Sequence, residues 1–144
     1  MADAIVAGHL CLDIIPDLFI HAEGKFDSAF QPGRLVHVGP AAISTGGAAS
    51  NTGLALHRLG IDTRLIAKVG SDQFGQVVRQ IIASHAPHLY DGISISSKTS
   101  TSYTVIVNPP DSDRRFLHYP GANDDFSADD VQDEDVRDAR LFHF

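Results

Sequence analysis

Ser44–Gly75 reads STGGAASNTGLALHRLGIDTRLIAKVGSDQFG, and this stretch decides the fold. A glycine pair, Gly46–Gly47, opens it, followed by Ala48, Ala49, Ser50 and a single amide, Asn51. Glycine pairs serve where backbone turns tightly or comes close to another surface. The small residues behind the pair predict a helix whose N-terminus either faces a ligand with its N–H groups or merely completes a tight turn. An amide in that first turn both donates and accepts, which suits a hydroxyl-rich ligand. The helical run reaches Leu59 and places Ala48, Thr52, Ala55 and Leu59 on one face with Leu56 beside it, the face expected to be buried. Gly60 then fits the left-handed C′ position, and His57 and Arg58 put positive charge in the last turn. Thr63–Val69 reads as a buried parallel strand reached by a β-α-β crossover. Ser71 is the expected N-cap of a second helix, with Asp72 in its first turn. Phe74, Val77, Val78, Ile81 and Ile82 recur at threes and fours along that helix, which ends near His85, before Pro87.

Two nucleotide motifs are absent from the stretch. No Gly-Lys-Ser/Thr follows the glycines, so it is not a Walker A loop. The Gly-x-Gly-x-x-Gly fingerprint is missing as well, which argues against the dinucleotide domain of an oxidoreductase.

Toward the N-terminus, Ala4–Ala7 (AIVA) is an unbroken apolar run that predicts a strand buried on both faces. Only three residues precede it, so the N-terminus reads as intact. Asp13 follows five residues after Gly8. A carboxylate just past a central strand lies where open α/β sheets bind ligands, and capping a turn is the alternative role. The region 14–38 keeps no steady period and is broken by Pro16, Gly24, Pro32 and Gly33. Ile14–Ile15, Phe19–Ile20 and Leu35–Val38 are its candidate short strands. Phe19, Phe26 and Phe30, if exposed, would favour pairing of two copies, with plain loop packing as the alternative.

Toward the C-terminus, Ile93 and Ile95 alternate with Ser94 and Ser96 as a strand begins. Thr99–Val107, the turn Asn108-Pro109-Pro110-Asp111 and Arg114–Tyr119 read as a β-hairpin. Arg114 and Arg115, near that turn, could reach a phosphate or only be solvated. Gly121-Ala122-Asn123 repeats the pattern of small residues and an amide. Ser127 starts a last helix, with Asp130 three residues on as in a capping box, and Arg137 and Arg140 at its end. Leu141–Phe144 then begins another core strand.

The 144 residues suit one domain, and 43% apolar with 20% charged residues is an ordinary globular composition. A net charge of −7 disfavours nucleic acid and anionic membrane as partners. Eight of the 18 acids fall between Asp124 and Asp138, a run that reads as a solvated face. The lone Cys11 fits a reducing compartment and sits in an apolar strand, where packing is its expected role. No basic, apolar leader and no membrane-length apolar run is seen, so a cytoplasmic location is expected. His85 and His88 straddle Pro87 without an acidic or thiol partner, so no metal site is expected.

Gly-Gly, a short gap, Asn, a helix closed by Gly, a strand and Gly-x-Asp-x-x-Gly together resemble the N-terminal signature of the ribokinase-like (PfkB) sugar and nucleoside kinases. Gly8-His9-Leu10-Cys11-Leu12-Asp13 resembles that family's first strand, Thr99–Phe116 its lid hairpin and Gly121-Ala122-Asn123 the turn behind it. The resemblance runs from about Ile5 to Phe144. It implies an α/β, ribokinase-like fold: a partly parallel sheet flanked by helices, with a small β lid from about 14–38 and 98–119. Residues 1–144 would be the N-terminal part of one such domain, truncated at the C-terminus.

The resemblance also implies a site. Asp13, Gly46, Gly47 and Asn51 would hold hydroxyls of a sugar or nucleoside. Asn123 would sit at the edge of the site, and Thr101 and Tyr103 would border it. The base, the nucleotide site and the anion hole belong to the family's C-terminal half, so no catalytic residue is expected in this chain. ATP and Mg2+ would serve the complete enzyme, with no motif for either here. A homodimer through the lid is the implied protein partner. The alternative is a non-catalytic fragment that binds a sugar or dimerises.

Overall fold

Two four-stranded sheets organise residues 2–18, 30, 32–109 and 113–144, the residues that this computed structural model describes. The first sheet is parallel throughout. Its strands β1 (Ala4–Ala7), β4 (Thr63–Gly70), β5 (Ile93–Ser96) and β8 (Leu141–His143) stand in the order β5-β4-β1-β8. The second is mixed and joins β2 (Cys11–Pro16), β3 (Ala41–Gly46), β6 (Tyr103–Val107) and β7 (Arg115–Tyr119) in the order β3-β2-β6-β7. Its inner pair, β2 and β6, runs parallel, and the outer pairs are antiparallel. The helices are α1 (Ala48–Arg58), α2 (Gln73–His85) and the single turn α3 (Asp133–Val136).

The parallel sheet is covered on both faces, as the unbroken apolar run of β1 predicts. On one face Val6, Leu65, Ala67 and Val69 pack with Ala49 and Leu54 of α1 and Val78 and Ile82 of α2. On the other, Ile5, Ala7 and Ile66 meet Phe126, Val131 and Ala139. Each large side chain buried there contributes about 1.5–3 kcal/mol. The second cover is held by charge as well. Arg64 pairs with Asp135 at 2.7 Å, and half-buried Lys68 pairs with Asp130 at 2.8 Å and donates to the Asp125 carbonyl.

Gly60 has φ +81° and closes α1 as predicted. Its N–H donates to the His57 carbonyl, and Ile61 N–H donates to Leu56, the paired bonds of a Schellman ending.

Several local expectations are corrected. The buried face of α1 carries Ala49, Ser50, Gly53 and Leu54, whereas Leu59 is 78% exposed. A Cβ on Gly53 would lie 2.1 Å from Leu65 Cδ2, so the glycine is what lets the helix rest on β4. The N-cap of α2 is Asp72, not Ser71; its carboxylate accepts from Gly75 N–H at 3.2 Å. Residues 34–40 form no strand, while Ala41–Gly46 is β3. In β5 the alternation fails: Ser96 is buried because its hydroxyl donates to the Asp125 carboxylate at 2.7 Å, and Ile95 is exposed. Ser127 does start a capping box, but on a 3₁₀ turn, Ala128–Asp130; α3 begins separately after Gln132. Leu141–His143 forms the strand expected there, β8, which pairs with β1 at one edge of the sheet among the described residues. The predicted strand Phe19–Ile20, Gly24, Phe26 and part of the turn 108–111 lie outside the described residues. Phe30 is 45% exposed.

Candidate functional site

Asp13 lies in the middle of β2, so it belongs to the second sheet rather than to the end of β1. Side chains alternate faces along a strand, and Cα partners in a ladder share a face. The register pairs Asp13 with Ser44 on β3 and Thr104 on β6, and Thr104 with His118 on β7. A polar row therefore crosses the sheet: Ser44, Asp13, Thr104, His118. The next row on the same face is apolar, with Ile106 opposite Phe116.

The Gly-Gly turn closes on this row. A Cβ on Gly46 would stand 2.3 Å from Asp13 Oδ2, and one on Gly47 would stand 2.3 Å from the His9 carbonyl oxygen. Gly47 has φ +90° and is the N-cap of α1, where no side chain caps the helix. The glycine pair thus brings a helix start, a carboxylate and the β1–β2 connection to one point. The His9 carbonyl takes up one helix N–H, accepting from Ala49 at 3.0 Å. Asp13 itself is half-buried and accepts from the Cys11 thiol at 3.3 Å. Burial, followed by the Asp13 charge and hydrogen bond, pushes the Cys11 thiol up to about 12, so it stays protonated and unreactive.

The remaining expected residues are distributed differently. Asn51 is exposed in the second turn of α1, where it lines a shallow depression with Ser44, Arg58 and His85. Thr101 is buried, its hydroxyl bonded to the Asp72 carboxylate and accepting from Gly70 N–H at 2.9 Å. Tyr103 pairs with Leu12, on the sheet face opposite Asp13, and its ring packs 5.5 Å from Phe74. Asn123 spans the backbone of Leu10, accepting from its N–H at 3.0 Å and donating to its carbonyl at 3.2 Å. The structure thus brings Asp13, Gly46 and Gly47 together, and spends Thr101, Tyr103 and Asn123 on internal contacts. Sequence reading did not bring Ser44, Thr104, His118 and His9 to the neighbourhood of Asp13. The signal for Ser44 and Thr104 was available in the two-residue period of β3 and β6, but only the register says which phase faces Asp13.

The chain belongs to the pfkB family of carbohydrate kinases, whose family pattern matches residues 5–144. It is similar to a fructokinase of Solanum tuberosum, 29% identical over 101 residues, covering 69% of this chain and 31% of that protein. It is also similar to a nucleoside kinase of Methanothermobacter thermautotrophicus, 27% identical over 141 residues, covering 98% of this chain and 43% of the relative. The crystal structure of fructokinase from Xylella fastidiosa with bound ATP shares the fold, with a TM-score of 0.73 at 24% identity, covering 99% of this chain and 42% of that one. The α/β, ribokinase-like architecture expected from the motifs is therefore the observed one. The chain spans less than half the length of each of these relatives. Among the described residues no helix is long and apolar enough to cross a membrane.

Proposed function

We propose that this chain is the substrate-holding, N-terminal part of a kinase that transfers the γ-phosphoryl group of ATP to a hydroxyl of a sugar or nucleoside. The observation that carries the reading is the abutment of Asp13 on Gly46, next to the Gly47 start of α1 and on the open face of the second sheet. Phosphoryl transfer asks chiefly for positioning and charge stabilisation. An ionised carboxylate is acceptor-only, so it takes hydroxyl donors, and such charge-assisted bonds are stronger than neutral ones. The bare backbone at Gly46 lets a ligand approach that carboxylate closely. Asn51 adds an amide one turn along the helix. The second sheet then serves as a lid that excludes water.

The base that takes the hydroxyl proton, and the site for ATP with its Mg2+, belong in this reading to sequence beyond this chain. Among the described residues no group of three or more His, Cys, Asp or Glu side chains could hold a metal ion. A cytoplasmic location accords with such metabolic chemistry.

The test is phosphorylation of D-fructose, D-ribose and adenosine by the protein as encoded, with and without Asp13→Ala. The variant should raise KM sharply or abolish turnover on whichever compound the wild type accepts. Unchanged turnover would sink the assignment of Asp13. Ligand-dependent stabilisation without any phosphoryl transfer would favour the non-catalytic alternative instead.

A second copy of the chain is the partner the second sheet favours. On the face away from Asp13, the register lines up Ile43, Ile14, Val105 and Leu117, and the row is open at both ends, with Ile43 54% and Leu117 64% exposed. Apolar rows of that kind are covered by partners.

A further inference from the structure

The polar row through Asp13 ends on a histidine that touches a second histidine. His118 lies on β7, the outermost strand of the second sheet, and its Nδ1 is hydrogen-bonded to Thr104 Oγ1 at 2.9 Å. Thr104 is 7% exposed and lies 3.8 Å from Cys11 Sγ, and the Cys11 thiol reaches Asp13. Across the open face, the His118 ring meets the ring of His9, with centroids 5.3 Å apart and planes tilted by 42°. His9 belongs to the β1–β2 connection, its ring and carbonyl packed against Gly47. The histidine pair therefore joins the far strand of the second sheet to the Gly-Gly turn, on the side where Asp13 stands. Both residues are exposed, so both are open to a ligand.

We propose that His9 and His118 are positioning residues of the Asp13 site: together they form one wall of the hydroxyl-binding site and hold β7 over a bound polyol. This inference rests on the substrate-holding reading of Asp13. A neutral imidazole carries one donor and one acceptor, so each ring can bond a hydroxyl that Asp13 does not reach. Burial, reinforced by the neighbouring His118, holds His9 below its ordinary value, while Asp13 pulls the other way. Once protonated, His9 would compete with the substrate for the Asp13 carboxylate.

Among the described residues of this sheet, the other titratable or charged groups on this face are Asp13 and Cys11 on β2 and Arg114, which lies over Phe116; Ser44 and Thr104 on β3 and β6 do not titrate. The protonated Cys11 adds no charge. Affinity for the polyol should accordingly fall as pH drops through the histidine range.

The experiment compares wild type, Asp13→Asn, His9→Gln and His118→Asn in the protein as encoded, with D-fructose, D-ribose and adenosine as substrates. Asn at 118 keeps a hydrogen-bonding group for Thr104 while removing the rest of the ring. Both histidine variants should raise KM by about tenfold while kcat stays within about threefold, the mark of lost binding rather than lost chemistry. They should also flatten the acid limb of kcat/KM. A raised KM for Asp13→Asn with unchanged KM and pH profile for the histidine variants would overturn this inference and leave the reading of Asp13 standing. Unchanged KM for Asp13→Asn, or no turnover of any of the three compounds by the wild type, would overturn both. A fall in kcat matched by a lowered melting temperature would reduce the histidines to packing and overturn the inference alone.

Discussion

β1 and β7 are both short strands with apolar centres, yet every described residue of β1 is buried and every one of β7 is exposed. The difference lies in what surrounds them. β1 is central, paired on both edges and covered on both faces. β7 has one neighbour, β6, and an open face on each side. The parallel sheet is where burial stabilises the molecule, and the second sheet is where side chains stay available for a ligand or a second copy. Damage to the first should therefore be read in stability and damage to the second in function.

The largest expected effect lies in the parallel sheet. Leu65 is fully buried beneath α1, and Leu65→Ala should cost about 2–5 kcal/mol in a urea melt. A cost near zero would mean that α1 does not depend on β4, and the comparison would fail on its stable side. Asp13→Ala should behave in the opposite way. It should lower kcat/KM on the order of a hundredfold, from lost charge-assisted bonds, and shift the melting temperature by only about 2 °C. A large fall in melting temperature would mean that Asp13 supports the fold rather than a substrate.

A smaller effect belongs to the charged clamp behind the parallel sheet. The Ser96 hydroxyl and then Lys98 hold the Asp125 carboxyl below its ordinary value, and Lys68 helps. A carboxylate depressed in the fold supplies stability above its unfolded pKa and loses it as pH falls through the folded value. Wild type should thus lose stability below about pH 4, and Asp125→Asn should lose less over the same window in thermal melts. Equal slopes would remove the clamp from the account. The smallest effect on folding should come from the exposed edge. Leu117→Ser should change stability by about 0.5 kcal/mol or less. Sedimentation should nonetheless show fewer dimers, and an unchanged assembly state would rule out that face as the contact.

Local pattern carried much of this molecule. The unbroken apolar run Ala4–Ala7 announces a strand covered on both faces, because an element with no polar side to turn outward must be buried on both. The threefold and fourfold recurrence of Phe74 to Ile82 specifies α2, and Gly60 specifies the end of α1, because each depends on neighbours a few residues away. The glycines and Asn51, at their spacing, marked the family.

Other features depend on residues far apart in the chain, and no local pattern holds them. Which face of α1 is buried was settled by Gly53 meeting Leu65. Asp72 caps α2 and also binds Thr101, 29 residues away, so its second role could not be read from the helix start. Asn123 resembles a ligand-binding amide in the sequence, and its bonds to the Leu10 backbone, 113 residues away, are held by no local pattern. Thr104 rather than Tyr103 shares a face with Asp13, because strand register fixes the phase of an alternating pattern that reads equally well in either direction. His9 and His118 meet only because the second sheet folds back over the Gly-Gly turn. The row that joins the β1–β2 connection to β2, β6 and β7 exists only once those strands are paired.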